Sequence, residues 1–200
     1  MTQPRAEETR SRILDAAEEC FADQGYDAVG VAEICRRAGV TKGGFYHHFP
    51  TKQAVFLALL ERWLAALDTA LAALRTGAPS VPEELLQMAG MAQVIFHEAR
   101  GRLPMFMEFW NKAARDPAIW EATVHPYRRY TAFFAEIVRA GIAEGSLRPV
   151  DPEIAAQAIV SLAVGLVLQG LMDPQGADWG RVMRESFQML LEGLKRKELE

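Results

Sequence analysis

Cysteine is scarce: Cys20 and Cys35 are the only two in 200 residues. Their spacing carries neither a disulfide framework nor a metal-ligand signature. Cys20 falls on an apolar helical face with Ile13, Ala17 and Phe21, where a buried structural thiol is expected, and Cys35 is read the same way. Histidine is equally sparse, with four in the chain. His97 and His125 stand apart, so no metal site is expected. No nucleophile–base constellation and no phosphate-cradling loop is present, which argues against an enzyme and against a bound cofactor. The first residues, MTQPRAEETR, lack the apolar core of a signal peptide, and a cytoplasmic protein is expected. A basic excess is lacking too: the formal charge is −4.

One further absence points the other way. Between Glu33 and Glu61 no acidic residue occurs, while Arg36, Arg37, Lys42 and Lys52 fall inside that window with His47 and His48. A local basic patch is the electrostatic footprint of nucleic-acid binding, whatever the net charge. Half of the residues are hydrophobic and 24% are charged, ordinary values for a chain with a sizeable core.

Strand signals are few and helix signals many. A first helix is expected from about Ala6 to Gln24, stopped by Gly25. Residues 29–56 read VGVAEICRRAGVTKGGFYHHFPTKQAVF. Here a short helix (Val31 to Ala38) meets Gly39, and a second (Lys42 to His48) opens behind Thr41, a residue able to cap its first turn. Two helices joined by a tight glycine turn form the helix-turn-helix (30–49), whose second helix enters the DNA major groove. Pro50 breaks the chain, and Thr51 opens a fourth helix to about Leu74, long enough to span ~35 Å. After the loop TGAPSVP, helices are expected at 82–99, 103–115, 117–144, 152–172 and 178–196. The fold class is therefore all-α, with about nine helices. The expected division is 1–50 for DNA binding, 51–76 as connecting helix, and 77–200 as a ligand-binding and dimerisation body.

Over residues 7–67 the chain closely resembles the DNA-binding head of the TetR family of bacterial transcriptional repressors. Thr41 offers a hydroxyl and a helix N-terminus to phosphate or base, and Lys42 reaches a guanine edge or a phosphate. Gly43 and Gly44 permit close backbone approach, or else mark a weak helix that orders on DNA. Phe45 and Phe49 face inward. The resemblance implies that Tyr46 contacts the phosphate backbone, that His47 contacts phosphate or base, and that Lys52 reaches phosphate. His48 is either a core imidazole or a phosphate contact. Two departures stand out: the family usually has threonine or serine where Val29 and Gly30 stand, and a longer polar residue at Ala32. Recognition should rest more heavily on residues 41–48.

In such proteins the C-terminal body binds a small molecule and carries the dimer interface. The candidate pocket residues are Trp63, Leu67, Met105, Phe106, Phe109, Trp110, Tyr127, Tyr130, Phe134 and Gln169; the same aromatic and methionine side chains also suit a plain core. Residues 154–172 are uncharged and long enough to span a bilayer, but Gln157, Ser161 and Gln169 interrupt them and no basic anchor adjoins them. A helix buried between its own core and a partner subunit is expected instead, with no membrane span. The expected interface comprises Ile159, Leu162, Leu166, Val182, Phe187, Leu190 and Leu194, giving a homodimer on a palindromic double-stranded operator. The leading expectation is a repressor released by a small hydrophobic effector. The alternatives are a helical binding protein or enzyme that keeps the head as scaffold, and a DNA-binding regulator with no inducer.

Overall fold

In the computed structural model the described residues are 3–74, 78–91 and 111–196, and among them eight helices and no strand are found. They are α1 (Gln3–Gln24), α2 (Val31–Ala38), α3 (Lys42–His48), α4 (Lys52–Leu74), α5 (Val81–Gly90), α6 (Pro117–Glu144), α7 (Pro152–Met172) and α8 (Trp179–Leu194). The all-α expectation holds. Met105, Phe106, Phe109 and Trp110 lie outside the described residues, as does most of the expected helix at 103–115.

Contacts divide the chain into two compact units, Met1–Leu67 with Gly101–Thr123, and Asp68–Arg100 with Val124–Glu200. This differs from the division at residues 50 and 76. Part of the segment after the loop packs with the head.

In the first unit, α1 buries Ile13, Leu14, Ala17, Cys20 and Phe21, the stripe that recurs every three to four residues. Its end is set by Gly25, whose φ of 82° suits glycine and whose N–H donates to the Phe21 carbonyl at 3.0 Å. Gly39 ends α2 in the same left-handed region, at φ 65°. The turn it makes lets α3 cross α2 after two further residues. Phe45, Phe49, Val55, Phe56 and Leu59 close the core over α1 and α2. Ala113 and Ile119, far along the chain, complete that same core. Arg62 clamps α4 to α1 through Asp15, at 2.5 Å, and Glu18.

In the second unit, aspartate side chains cap two of the helices. Asp151 accepts from the N–H groups of Glu153 (2.9 Å) and Ile154 (3.3 Å) to open α7, and Asp178 accepts from Arg181 (3.0 Å) to open α8. α8 packs against α5 and α7. Leu85, Ile137, Val138, Leu147, Ile159, Met183 and Leu191 form the core. The link after α6 is pinned to the end of α8 by the Arg148 N–H on the Leu194 carbonyl (2.9 Å) and the Arg196 N–H on the Ser146 carbonyl (3.2 Å).

α7 is long and apolar enough to cross a membrane by length and composition, yet only 28% of its most apolar window is buried within this chain. Within this single chain α7 is therefore buried on one side. Ala155, Ala156, Ile159, Val160, Leu166 and Gly170 turn inward, while Ile154, Val164, Leu168 and Met172 remain exposed.

Candidate nucleic-acid interface

α3 is built so that its polar residues are left outside. Phe45 and Phe49 are buried and anchor the helix from within, the Arg10 guanidinium lying over the Phe49 ring at 5.1 Å. At the N-terminus the Thr41 hydroxyl accepts the Gly44 N–H at 3.0 Å, fixing the first turn while the residue stays exposed. Lys42 and His47 are exposed, and Tyr46 is 54% exposed with its ring edge-on to Phe45. A Cβ at Gly43 would meet only the Thr41 hydroxyl oxygen, at 3.9 Å. Packing inside the chain therefore does not demand glycine at this position, and the bare backbone there faces outward. Gly44 is tighter, its Cβ position 3.4 Å from the same oxygen. His48 is half-buried beside His47, their rings 5.2 Å apart. Thr41, Lys42, Gly43, Gly44, Tyr46, His47 and His48 thus come together on one short element.

The basic patch is thinner than the acid-free window suggested. Arg36 donates to both carboxylate oxygens of Glu33, at 2.6 and 2.9 Å, and this hydrogen bond holds the Glu33 carboxyl below its ordinary pKa. Arg37 pairs with Asp23 at 3.0 Å and Glu19 at 3.6 Å. The acids arrive from α1 and from the window's edge. Among the described residues Lys42 shows no ion pair.

Lys52 does something the sequence did not suggest. Its ammonium donates to the carbonyls of Tyr26 (2.7 Å) and Val29 (2.8 Å) and lies 4.2 Å from the centre of the Tyr26 ring. Lys112 lies 4.8 Å from the same ring centre and pairs with Asp27 at 2.7 Å. That bond is the first cause of a lowered Asp27 pKa. Lys112 and Asp27 are 85 residues apart, so no local pattern could have revealed the pair. Gly30 caps α2 with no side-chain hydrogen bond, in keeping with the missing hydroxyl.

Of the effector candidates, Trp63 and Leu67 belong by contacts to the first unit; Tyr127, Tyr130, Phe134 and Gln169 belong to the second. Tyr130 donates to Asp68 at 2.8 Å, and Arg129 donates to both Asp68 oxygens at 2.8 and 2.7 Å. Burial, then the Asp68 bond, pushes the Tyr130 phenol up to about 12. Tyr127 accepts from Gln157. Phe134 is half-buried and Gln169 is exposed. Asp68 and Arg129 were missed because 61 residues separate them.

The expected dimer residues differ in their exposure within the subunit. Ile159, Leu166, Phe187 and Leu194 are buried within the subunit. Leu162, Val182 and Leu190 are half-buried. On α7 and α8 the large apolar residues that reach the surface are Ile154, Val164, Leu168, Met172 and Met189.

Comparison with known proteins agrees with this geometry. Residues 13–59 match the family model for bacterial regulatory proteins of the tetR family, and residues 82–194 match the C-terminal domain of BetI-type transcriptional repressors. The chain is 26% identical over 166 residues to the transcriptional regulator UidR of Escherichia coli K12, covering 82% of this chain and 83% of that protein. It is 28% identical over 193 residues to the A-factor receptor protein of Streptomyces griseus, covering 94% of this chain and 64% of that one. Among solved structures, a transcriptional regulator from Saccharomonospora viridis in complex with choline superposes with a TM-score of 0.77 at 24% identity, over 96% of this chain and all of that one. With an outward-facing recognition helix on a helix-turn-helix head and a second match spanning most of the remaining chain, the protein belongs to the tetR family of bacterial regulatory proteins and is a DNA-binding transcriptional regulator, not an enzyme.

Proposed function

We propose that the protein is a cytoplasmic homodimeric repressor that holds a palindromic operator and leaves it when a small hydrophobic molecule binds the second unit. The observation that carries the dimer is the outer face of α7, where Ile154 is 69% and Met172 is 68% exposed; on α8, Met189 is 66% exposed. An apolar stripe of this kind is unfavourable in water and stabilises association when a second copy covers it. Ala158, Ser161 and Gly165 lie along the same side and are small enough for a helix to approach closely. Two-fold pairing would present two α3 helices to half-sites about one helical turn, ~34 Å, apart.

Repression is supported by the match of residues 82–194 to a BetI-type repressor domain. An effector is supported by two relatives: one is named a receptor for A-factor, and the structure of the other holds choline. In this chain Tyr127 and Phe134 on α6 offer aromatic surface, while the Tyr130 hydroxyl and Asp68 are committed to each other and to Arg129. Inducer and operator must weaken each other's binding by the same factor.

The test uses a DNA duplex that the protein itself enriches from a random-sequence pool. Candidate acyl compounds, aromatics and cationic drugs are titrated against the complex, following tryptophan fluorescence and DNA release together. Release in step with binding supports the reading. A compound that saturates the protein while DNA affinity stays constant refutes the coupling for that compound.

A further inference from the structure

We propose that Lys112 is a positioning residue for DNA recognition, holding the loop that delivers α2 although it lies in the part of the chain matched by the C-terminal repressor domain. The proposal rests on the DNA-binding role of the head. α2 opens at Gly30 without a side-chain cap, so no side chain at that position ties the entry of the chain into the helix-turn-helix. The loop before it is held from elsewhere.

Lys112 pairs with Asp27 at 2.7 Å and covers the Tyr26 ring at 4.8 Å, while Lys52 takes the carbonyls on either side of Asp27, at Tyr26 and Val29. The Tyr26 ring in turn packs on Phe21 (5.1 Å) and Phe56 (4.6 Å), so the loop is keyed into the core of the head. Lys112 does not hang free. Ala113 and Ile119 beside it are buried in the same core, and Asp116 accepts from Gln53 on α4 at 3.0 Å. The segment is built into the head, and its lysine is directed at the loop.

The test compares Lys112→Met, Lys112→Arg and Asp27→Asn with the wild-type chain on the selected duplex and on an unrelated duplex of equal length. Lys112→Met keeps the apolar stem and loses the charge. It should weaken the selected duplex by roughly three- to thirtyfold, the sum of an exposed ion pair and a cation–π contact. Its affinity for the unrelated duplex and the salt slope on both should match the wild type, because the Lys112 ammonium does not touch phosphate. Lys112→Arg should restore the affinity. If Lys112→Met proves unfolded by circular dichroism, Asp27→Asn decides, with the smaller loss of the ion pair alone expected, roughly two- to fivefold, since the contact of Lys112 with the Tyr26 ring remains. Selected-duplex affinity within twofold of wild type in a folded variant would overturn the proposal. So would a salt slope reduced by ~0.9, the signature of a lost phosphate contact. A wild-type chain that enriches no duplex would overturn the DNA-binding reading beneath it, and that is seen before any variant is made.

Discussion

The Lys52 ammonium sits 4.2 Å from the centre of the Tyr26 ring while donating to the Tyr26 carbonyl at 2.7 Å. One residue on α4 thus grips both the side chain and the backbone of another, 26 positions earlier. Replacing Lys52 with Met removes two charge-assisted hydrogen bonds and should destabilise the head by about 1–3 kcal/mol. Thermal melting checks the stability. If Lys52 acts only inside the head, the salt dependence of DNA binding stays as in the wild type. A slope that falls by ~0.9 would instead place its charge on a phosphate.

A second expectation separates the basic residues of the window. Lys42→Ala should reduce the salt slope by ~0.9 and blur sequence preference, since Lys42 is exposed at the start of α3. Arg37→Ala should leave the slope near its wild-type value, because Asp23 and Glu19 already pair with that guanidinium. Fluorescence anisotropy from about 50 to 200 mM salt distinguishes the two. Equal losses for both variants would mean that Arg37 leaves its acids for DNA.

Much of the fold was legible because its signals are local. Gly25 and Gly39 mark helix ends through a backbone conformation that favours glycine, and Thr41 caps α3 through a residue three positions on. Phe45 and Phe49 are buried, as expected of the inward side of this helix. The partners of Arg37, Lys52 and Lys112 were not legible, since each lies on another element and no periodicity links them. The same limit explains the dimer residues. α7 is apolar all round, so its composition did not tell the face holding Ile159 and Leu166 from the face holding Ile154 and Met172.

That distinction yields a third prediction. Ile154→Glu with Met172→Glu should split the dimer while leaving a folded chain, because both positions are exposed in the single subunit. Leu166→Glu should unfold it, since a carboxylate buried in the subunit core costs several kcal/mol. Light scattering and circular dichroism together read both outcomes. Unfolding by the surface pair would show that α7 cannot stand without its partner.

The acid limb of stability carries a fourth. Asp116 accepts the Ala118 N–H at 2.9 Å and the Ile119 N–H at 3.3 Å, and these backbone bonds, with Gln53 adding to them, lower its pKa. A carboxyl with a depressed folded pKa contributes stability that is fully present above its unfolded value and is lost as pH falls through its folded value. Asp116→Asn keeps an oxygen for the cap but removes the titration. Its stability should therefore decline less steeply than the wild type from about pH 5 to about pH 3. Parallel decline in urea-unfolding midpoints would contradict the assignment.

The proposed repressor needs two chains to act together on DNA. Sedimentation velocity with a fluorescent duplex selected by the wild-type protein measures this directly, with and without DNA at micromolar protein. The expected result is a dimer in the absence of DNA and two chains bound per selected site, with Ile154→Glu/Met172→Glu reduced to monomers of much weaker affinity. A folded wild-type monomer that occupies the site as a single chain at full affinity would contradict it.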